Sequence, residues 1–133
     1  MILLDTDSLS WLMRPKPPER LLQNLGATPS AEQSTSSITL GEIAYGAAKI
    51  GRPELLDRAL ALTVGLHFFD FDLAAAQAYG RLRALLEKKG KRLDDPDLRI
   101  ASIAVANGLT LVSGNLKHFR RIPDLDVVDW IHA

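Results

Sequence analysis

The chain has 133 residues, a formal net charge of zero and no cysteine. We expect one domain spanning residues 1–133, because about 100–150 residues is the commonest domain size. The lack of cysteine excludes a disulfide framework and a thiolate zinc site, and no apolar run reaches the ~18 residues of a membrane span. Asp5 interrupts the apolar N-terminus where a signal peptide would continue, so a cytoplasmic location is expected.

Short apolar stretches alternate with longer amphipathic stretches along the chain. The strands are predicted at residues 2–4, 34–37, 66–69, 109–112 and 127–128. The helices are predicted at residues 8–13, 18–25, 39–50, 53–63, 72–89 and 95–106, with expected N-caps at Ser8, Thr39, Asp72 and Asp95. This alternation predicts an α/β fold in which helices cover both faces of a parallel sheet.

Four polar residues fall where such a sheet binds ligands. Asp5 and Asn115 each follow a predicted strand, whereas Glu42 and Asp97 each lie in the first turn of a predicted helix. Ligands of parallel α/β sheets bind at the carboxyl ends of the strands, so all four residues are expected at one sheet edge. Carboxylates that share a cleft repel each other unless a cation neutralises them, and oxygen donors suit Mg²⁺ or Mn²⁺.

Each of these four residues also has a purely structural interpretation. Glu42 completes a capping box with Thr39, and Asp97 suits the positive end of a helix dipole. Asn115 is a common turn residue, and Asp5 simply ends a strand. The desolvation of a carboxylate at the core edge favours a functional role for Asp5, whereas spacing alone favours the capping role for Glu42.

Positive charge is concentrated in the second half of the chain. Residues 81–121 contain ten basic and four acidic residues, a net charge of +6. The remaining residues contain six basic and twelve acidic residues, a net charge of −6. The balanced total therefore conceals either an anion-binding face or a solvated helix surface.

The three histidines are expected to be structural rather than metal ligands. His67 precedes two phenylalanines in a predicted core strand, where a packed, hydrogen-bonded side chain is expected. His118 is expected to belong to a local packing turn with Phe119, because a lone histidine is weak evidence for a metal site. His132 lies near the end of the sequence and is expected to be exposed.

Three segments together resemble a known family. They read LLDTDSLSWLM, ITLGEIAYGA and DPDLRIASIAVANGLTLVSGNLKHFRRIPDLDVVDW. They are similar to segments of PIN-domain ribonucleases, specifically the VapC-type toxins of type II toxin–antitoxin systems. The resemblance runs from residue 2 to Trp130 and is most specific in the last segment. It implies a three-layer α/β/α PIN-like domain with a short, mostly parallel central sheet of four to five strands.

The resemblance also assigns the site residue by residue. It implies that Asp5, Glu42 and Asp97 bind one or two Mg²⁺ ions, with Mn²⁺ as a substitute, and that Asn115 completes the catalytic set. A water activated by the metal would attack the RNA phosphodiester. The basic stretch 81–121 would hold the RNA backbone. The candidate substrate-binding residues are Arg99, Ser113 and Lys117, although the interpretation of Arg99 as an ordinary surface arginine is favoured.

Three positions depart from the family's usual pattern. Asp7 stands where many members have Asn, which adds a carboxylate to the expected cleft. Gly114 stands where a basic residue is common, which removes one expected interaction with phosphate. Asn115 stands where some members carry a fourth acid, which leaves a second metal position open.

The resemblance implies partners as well. These are an RNA substrate, a cognate VapB-type antitoxin that neutralises the toxin, and a second copy of the chain in a homodimer. No membrane partner is expected. The sequence names neither the RNA that is cut nor the surface on which the antitoxin docks.

Two other functions remain open at this point. Asp5 and Asp7 form the Asp-x-Asp pair of a haloacid-dehalogenase-like phosphatase, with Asp5 as nucleophile and Asp7 as acid and base. That class also needs an acidic pair after a later strand, whereas Asp94 and Asp95 precede a helix. A non-catalytic binding module is the other alternative, although Asp70 is the only candidate phosphoacceptor of a receiver-like domain.

Overall fold

The computed structural model describes residues 1–132, which contain five strands in one parallel sheet and seven α-helices. The strands are β1 Ile2–Leu4, β2 Gln33–Ser36, β3 His67–Phe69, β4 Thr110–Val112 and β5 Asp126–Val128. The helices are α1 Thr6–Leu12, α2 Glu19–Gly26, α3 Ser37–Lys49, α4 Glu54–Leu62, α5 Leu73–Lys88, α6 Asp95–Asn107 and α7 Leu116–Phe119, and a 3-10 turn covers Ser30–Glu32. The order across the sheet is β3-β2-β1-β4-β5, with every neighbouring pair parallel.

Alternating side chains of the short strands supply two cores, one on each face of the sheet. Leu3 and Leu111 point to the face covered by α5 and α6. Leu4 and Val112 point to the opposite face, where they meet Leu21 of α2. These two cores confirm the predicted α/β/α arrangement, in which side chains on a strand alternate between the two helical layers.

A smaller apolar cluster beside the sheet joins α1 to α3 and α4. Its buried members are Leu9, Ile43 and Ala59, one from each helix. The cluster holds α1 against α3, so the polar first turns of these helices face one another at the carboxyl end of the sheet. Among residues 1–132, no helix is both long enough and apolar enough to cross a lipid bilayer.

Strand β2 consists of polar residues, Gln-Ser-Thr-Ser, and for this reason its sequence gives only a weak strand signal. Ser34 and Thr35 are fully buried beside β1. The Ser34 hydroxyl donates to the carbonyl oxygen of Ile2 at 2.6 Å, and the Thr35 hydroxyl donates to that of Leu4 at 3.1 Å. Because their hydroxyls are hydrogen-bonded, these polar side chains are accommodated in the middle of the sheet.

The N-caps of α1 and α3 differ from the prediction. Asp5, not Ser8, caps α1, because an Asp5 carboxylate oxygen accepts the Ser8 backbone N–H at 2.7 Å. Ser36, not Thr39, caps α3, because the Ser36 hydroxyl oxygen accepts the Thr39 backbone N–H at 3.1 Å. The helix therefore starts earlier, Glu42 lies in its second turn, and the predicted capping box is wrong.

Three further local predictions were corrected by the structure, while Asp72 was confirmed as the cap of α5. Asp94, not Asp95, is the residue before α6. His67 is exposed rather than packed in the core, because β3 is the edge strand of the sheet. The turn predicted beside Phe119 is the short helix α7, which buries the Phe119 ring completely.

Candidate active site

Asp5 is the most deeply buried acid of the site. It follows β1, its backbone N–H donates to the carbonyl oxygen of Val112 at 3.3 Å, and only 2% of it is exposed. Burial raises the pKa of its carboxyl group to about 6, against opposing hydrogen bonds from Ser113 and Ser8, and the charge of Asp7 adds to the rise. Ionisation of the carboxyl group at this position therefore costs desolvation free energy.

Ser113 connects Asp5 to the loop that carries Asn115. Ser113 follows β4 and is fully buried, and its side chain lowers the pKa of the Asp5 carboxyl group. Its hydroxyl oxygen also accepts the backbone N–H of Asn115 at 2.9 Å. Complete burial favours a role for Ser113 in positioning Asp5 over the predicted role in binding substrate, while the Asn115 side chain is exposed at the rim.

Glu42 reaches the same sheet edge from α3. It is half-buried, and the Thr6 hydroxyl donates to its Oε1 atom at 2.5 Å. Thr6 is the first residue of α1, so the turn that carries Asp5 also orients Glu42. The role of Thr6 was not predicted, because the sequence shows no link between residues 36 positions apart.

Asp97 lies in the first turn of α6 and faces the other acids. It is half-buried, and burial is the largest cause that raises the pKa of its carboxyl group to about 6. The negative charges of Glu42, Asp94 and Asp7 raise the pKa further, and His118 lowers it. The structure therefore brings Glu42 and Asp97 into one electrostatic environment and adds His118, a residue that its sequence context places in a packing turn.

The Asp7 carboxylate occupies the space beside Gly114. A Cβ atom at Gly114 would lie 2.7 Å from Oδ2 of Asp7 and 3.3 Å from a side-chain carbon of Ile131. A side chain at position 114 would therefore collide with Asp7 unless one of them moved. The two departures from the family pattern, at positions 7 and 114, are in contact in the folded chain.

Arg99 lies on α6, one turn after Asp95, and lines a pocket together with Glu42 of α3. Its Nε atom donates to Asp95 at 2.6 Å, and the Tyr79 hydroxyl donates to the other oxygen of the same carboxylate. The guanidinium carbon lies 5.0 Å from the ring centre of Phe71 and 5.1 Å from that of Tyr79, within the range of cation–π attraction. Lys117, by contrast, is exposed and forms no ion pair within residues 1–132.

The donor set fits a hard divalent cation, although the acids are not drawn together for direct coordination. Within residues 1–132, no three acidic or histidine side chains are close enough to hold one metal ion between them. Asp5 and Asp97 nevertheless have pKa values raised to about 6 by burial and by neighbouring carboxylates. A cation would relieve both causes, and oxygen-only donors favour Mg²⁺ or Mn²⁺ over softer metals.

Comparison with known proteins identifies the family. The PIN domain family matches residues 2–125. The tRNA(fMet)-specific endonuclease VapC of Salmonella typhimurium is 37% identical over 132 residues, with 96% of each chain covered. Ribonuclease VapC2 of Rickettsia felis is 41% identical over 96 residues, which cover 71% of this chain and 72% of that protein.

A solved structure gives the same result for the fold. The VapBC2 complex of Rickettsia felis, bound to a DNA fragment from its promoter, contains a chain that superposes with a TM-score of 0.87. The identity is 35%, and the match covers 98% of this chain and 99% of that one. These similarities favour neither the phosphatase nor the non-catalytic module. The chain belongs to the PIN-domain family and, within it, to the VapC ribonucleases.

Proposed function

We propose that the chain is an endoribonuclease that depends on a divalent cation, Mg²⁺ or Mn²⁺, and hydrolyses RNA phosphodiesters at the sheet edge formed by Asp5, Glu42 and Asp97. The observation that supports the proposal is that Asp5, directly after β1, and Asp97, beside Glu42, have carboxyl pKa values raised to about 6. Burial and mutual repulsion of this kind are typical of functional sites.

Asp5, Glu42 and Asp97 would hold the cation. When bound, such a cation supplies Lewis acidity, which acidifies water and stabilises negative charge on the phosphate. The protein's part is to fix the donors: Ser8 and Ser113 hold Asp5, and Thr6 holds Glu42. A bound cation would favour the anionic forms of Asp5 and Asp97, because its charge offsets the desolvation that mainly raises their pKa values and the smaller repulsion from neighbouring carboxylates.

Exposed polar residues around this edge would bind the RNA. The Asn115 amide lies at the rim and can hydrogen-bond to ribose or phosphate oxygens. Arg99 keeps terminal N–H groups for a phosphate while Asp95 holds its Nε atom. Lys117 is exposed beside Asn115 and would neutralise a further phosphate. Since one relative is named for its specificity toward tRNA(fMet), initiator tRNA is the first substrate to test.

We propose that the protein acts as a toxin in the cytoplasm, where a cognate VapB-type antitoxin neutralises it, and that it forms a homodimer. A relative was solved as a VapBC complex. Exposed apolar side chains on this chain support partner surfaces. Tyr45 in α3 is 66% exposed, Ile50 at the C-cap of α3 is 60% exposed, and Val64 after α4 is 79% exposed. Exposed apolar patches on a small domain commonly mark contacts with other proteins.

The deciding experiment uses metal-stripped protein, purified without any co-purifying inhibitor, and initiator tRNA beside mixed cellular RNA. Each RNA is incubated with and without Mg²⁺ or Mn²⁺, for the wild type, Asp5→Asn and Asp97→Asn. Asp57→Asn is the matched control, because Asp57 is an exposed acid in the first turn of α4. We expect discrete metal-dependent cleavage by the wild type and the control and none by the other two variants. Cleavage that survives both substitutions would overturn the site assignment.

A further inference from the structure

A cavity of about 370 Å³ lies next to the candidate active site and is not part of it. It opens to solvent and is bounded by the second half of α5, the loop 89–94, the start of α6 and α7. The apolar part of its lining is the half-buried Leu93, together with Leu86 and Leu98, which are almost completely buried in the core. A volume of this size is at the lower end of the ~300–1,000 Å³ that is typical of small-molecule sites.

The charged groups around the cavity leave unpaired positive charge. Two of its acids are already engaged within the protein. Glu87 accepts a hydrogen bond from Arg83 at 3.1 Å, and Asp95 is held by Arg99 and Tyr79.

The remaining side chains of the rim are mostly cationic. Lys91 and Arg92 are exposed, and neither side chain forms an ion pair or hydrogen bond within residues 1–132. The His118 imidazole also lines the cavity, and Asp94 is the one acid of the lining that is unpaired in the described chain. The rim therefore offers two permanent cations and an imidazole to an anionic ligand.

The cavity shares a wall with the candidate active site. Asp94 and Asp95 line the cavity, and Asp97 lies further along the same helical turn, directed toward the other carboxylates. His118 lines the cavity and is close enough to Asp97 to act on its charge. A ligand in the cavity would thus lie beside the phosphodiester that the acidic site acts on.

We propose that this cavity binds one unpaired nucleotide of the RNA substrate, its base against the half-buried Leu93 and its phosphate on Lys91 and Arg92. The inference rests on the proposed ribonuclease function and adds a base-recognising position to it. An apolar floor and a cationic rim match the flat base and the charged phosphate of a nucleotide. Proteins that select RNA sequences bind unstacked bases in this manner, so the cavity would contribute to the choice of cleavage position.

The test distinguishes binding of the base from binding of the phosphate and shows whether both occur in this cavity. The variant Lys91→Ala/Arg92→Ala removes two cations from the rim. Its matched control is Lys16→Ala/Lys49→Ala, which removes the same charge from exposed residues that lie outside the basic stretch 81–121 and do not line this cavity. Methyl NMR spectra of metal-free protein are recorded with each of the four nucleoside 5′-monophosphates and with ribose 5-phosphate.

We expect at least one nucleotide to shift the methyl signals of Leu93 and Leu98 in the wild type and the control. The shifts should need at least about tenfold more nucleotide in Lys91→Ala/Arg92→Ala, and ribose 5-phosphate should leave these signals in place. The proposal would be overturned if the variant and the control gave identical titrations. It would also be overturned if no nucleotide shifted the methyl signals, or if ribose 5-phosphate shifted them equally.

Binding of a single-stranded RNA in a chelating buffer gives a second measurement. The slope of log affinity against log salt should decrease by about 0.7 for each phosphate that the protein no longer neutralises, in the rim variant only. These measurements use no metal and no turnover. A chain that fails to cleave RNA would overturn the proposed function, whereas the methyl spectra would still test whether the cavity binds a nucleotide.

Discussion

The inner and outer faces of the first turn of α6 carry two acids with opposite properties. Asp95 is exposed, and hydrogen bonds from Tyr79 and Arg99 hold the pKa of its carboxyl group below the ordinary value. Asp97, two residues later, is half-buried beside other carboxylates, and its pKa is raised to about 6. Both lie in the positive field of the same helix terminus, which favours the anionic form of each.

The contrast shows that position in a helix does not reveal the function of an acid. Burial and repulsion outweigh the helix field at Asp97, whereas two donors reinforce that field at Asp95. A carboxylate such as that of Asp95, which already accepts hydrogen bonds from neighbouring side chains, contributes to the fold. A desolvated anion that faces other anions lacks a counter-charge, and this is the condition that a cation would relieve.

The largest expected effect comes from neutralising each acid in turn. Asp97→Asn should reduce the rate of RNA cleavage by about 100- to 1,000-fold, as expected when one group that stabilises the reacting charge is removed. Asp95→Asn should reduce kcat/KM less than about fivefold, because an exposed ion pair contributes about 1 kcal/mol or less. Its effect should appear in KM, since Asp95 holds Arg99 and not the acidic centre.

Steady-state kinetics at saturating metal, with circular dichroism to verify folding, measures both variants. Asp57→Asn provides the baseline for a helix-terminal acid outside the site. Equal losses in kcat for Asp95→Asn and Asp97→Asn would contradict the division between the inner and outer faces.

The second prediction concerns the pH dependence of stability without metal. The carboxyl groups of Asp5 and Asp97 have pKa values near 6 in the folded chain, against 3.8 ordinarily, so the folded state binds more protons between these values. Stability must therefore fall as pH rises from about 4 to 7, and the contribution of Asp5 corresponds to about 3 kcal/mol. Asp95 and Asp129, whose pKa values are lowered, act in the opposite direction at more acidic pH.

Urea denaturation in chelator across this pH range measures the effect. Asp5→Asn should flatten the decline most, because its amide oxygen can still accept the Ser8 N–H while the buried charge is gone. Mg²⁺ should also flatten the decline in the wild type. A wild-type stability that rises between pH 4 and 7 would refute the assignment of raised pKa values to this site.

The placement of the acids could be predicted because it follows from topology. Asp5 follows a short apolar strand, and Asp97 opens a helix that runs back to β4, so a parallel sheet must place both at its carboxyl edge. The cap positions were less predictable, because each helix start offers two suitable residues. Ser36 and Thr39 at α3 show this, since either residue can cap a helix and only the structure selects Ser36.

Long-range contacts account for the rest of what the sequence could not show. The hydrogen bond from Thr6 to Glu42 depends on the packing of α1 against α3, which no local pattern encodes. The proximity of His118 to Asp97 likewise depends on where the unpredicted helix α7 lies relative to α6. In each case one residue of the pair was predicted at the site and its partner was not.

A smaller effect is expected from Tyr79→Phe on the outer face. The variant removes the phenol that donates to Asp95 and retains the ring beside Phe71 and Arg99. Because the site is exposed, the free energy of unfolding should fall by at most about 1 kcal/mol. The pKa of the Asp95 carboxyl group should rise while that of Asp97 stays the same, as carboxyl ¹³C NMR titration would measure. A parallel shift at Asp97 would mean that the two faces are coupled.

The smallest effect, on the inner face, is expected from Asp7→Asn. Asp7 is the weakest of the named charges that raise the pKa of Asp97, so its neutralisation should lower that pKa only slightly. Asn has the same shape as Asp and still fills the space beside Gly114, so the variant changes charge and little else. Carboxyl ¹³C titration of metal-free protein should show Asp97 moving toward its ordinary pKa, with Asp95 unchanged. A rise in the pKa of Asp97 would mean that Asp7 acts on Asp97 through hydrogen bonding or packing rather than through its charge.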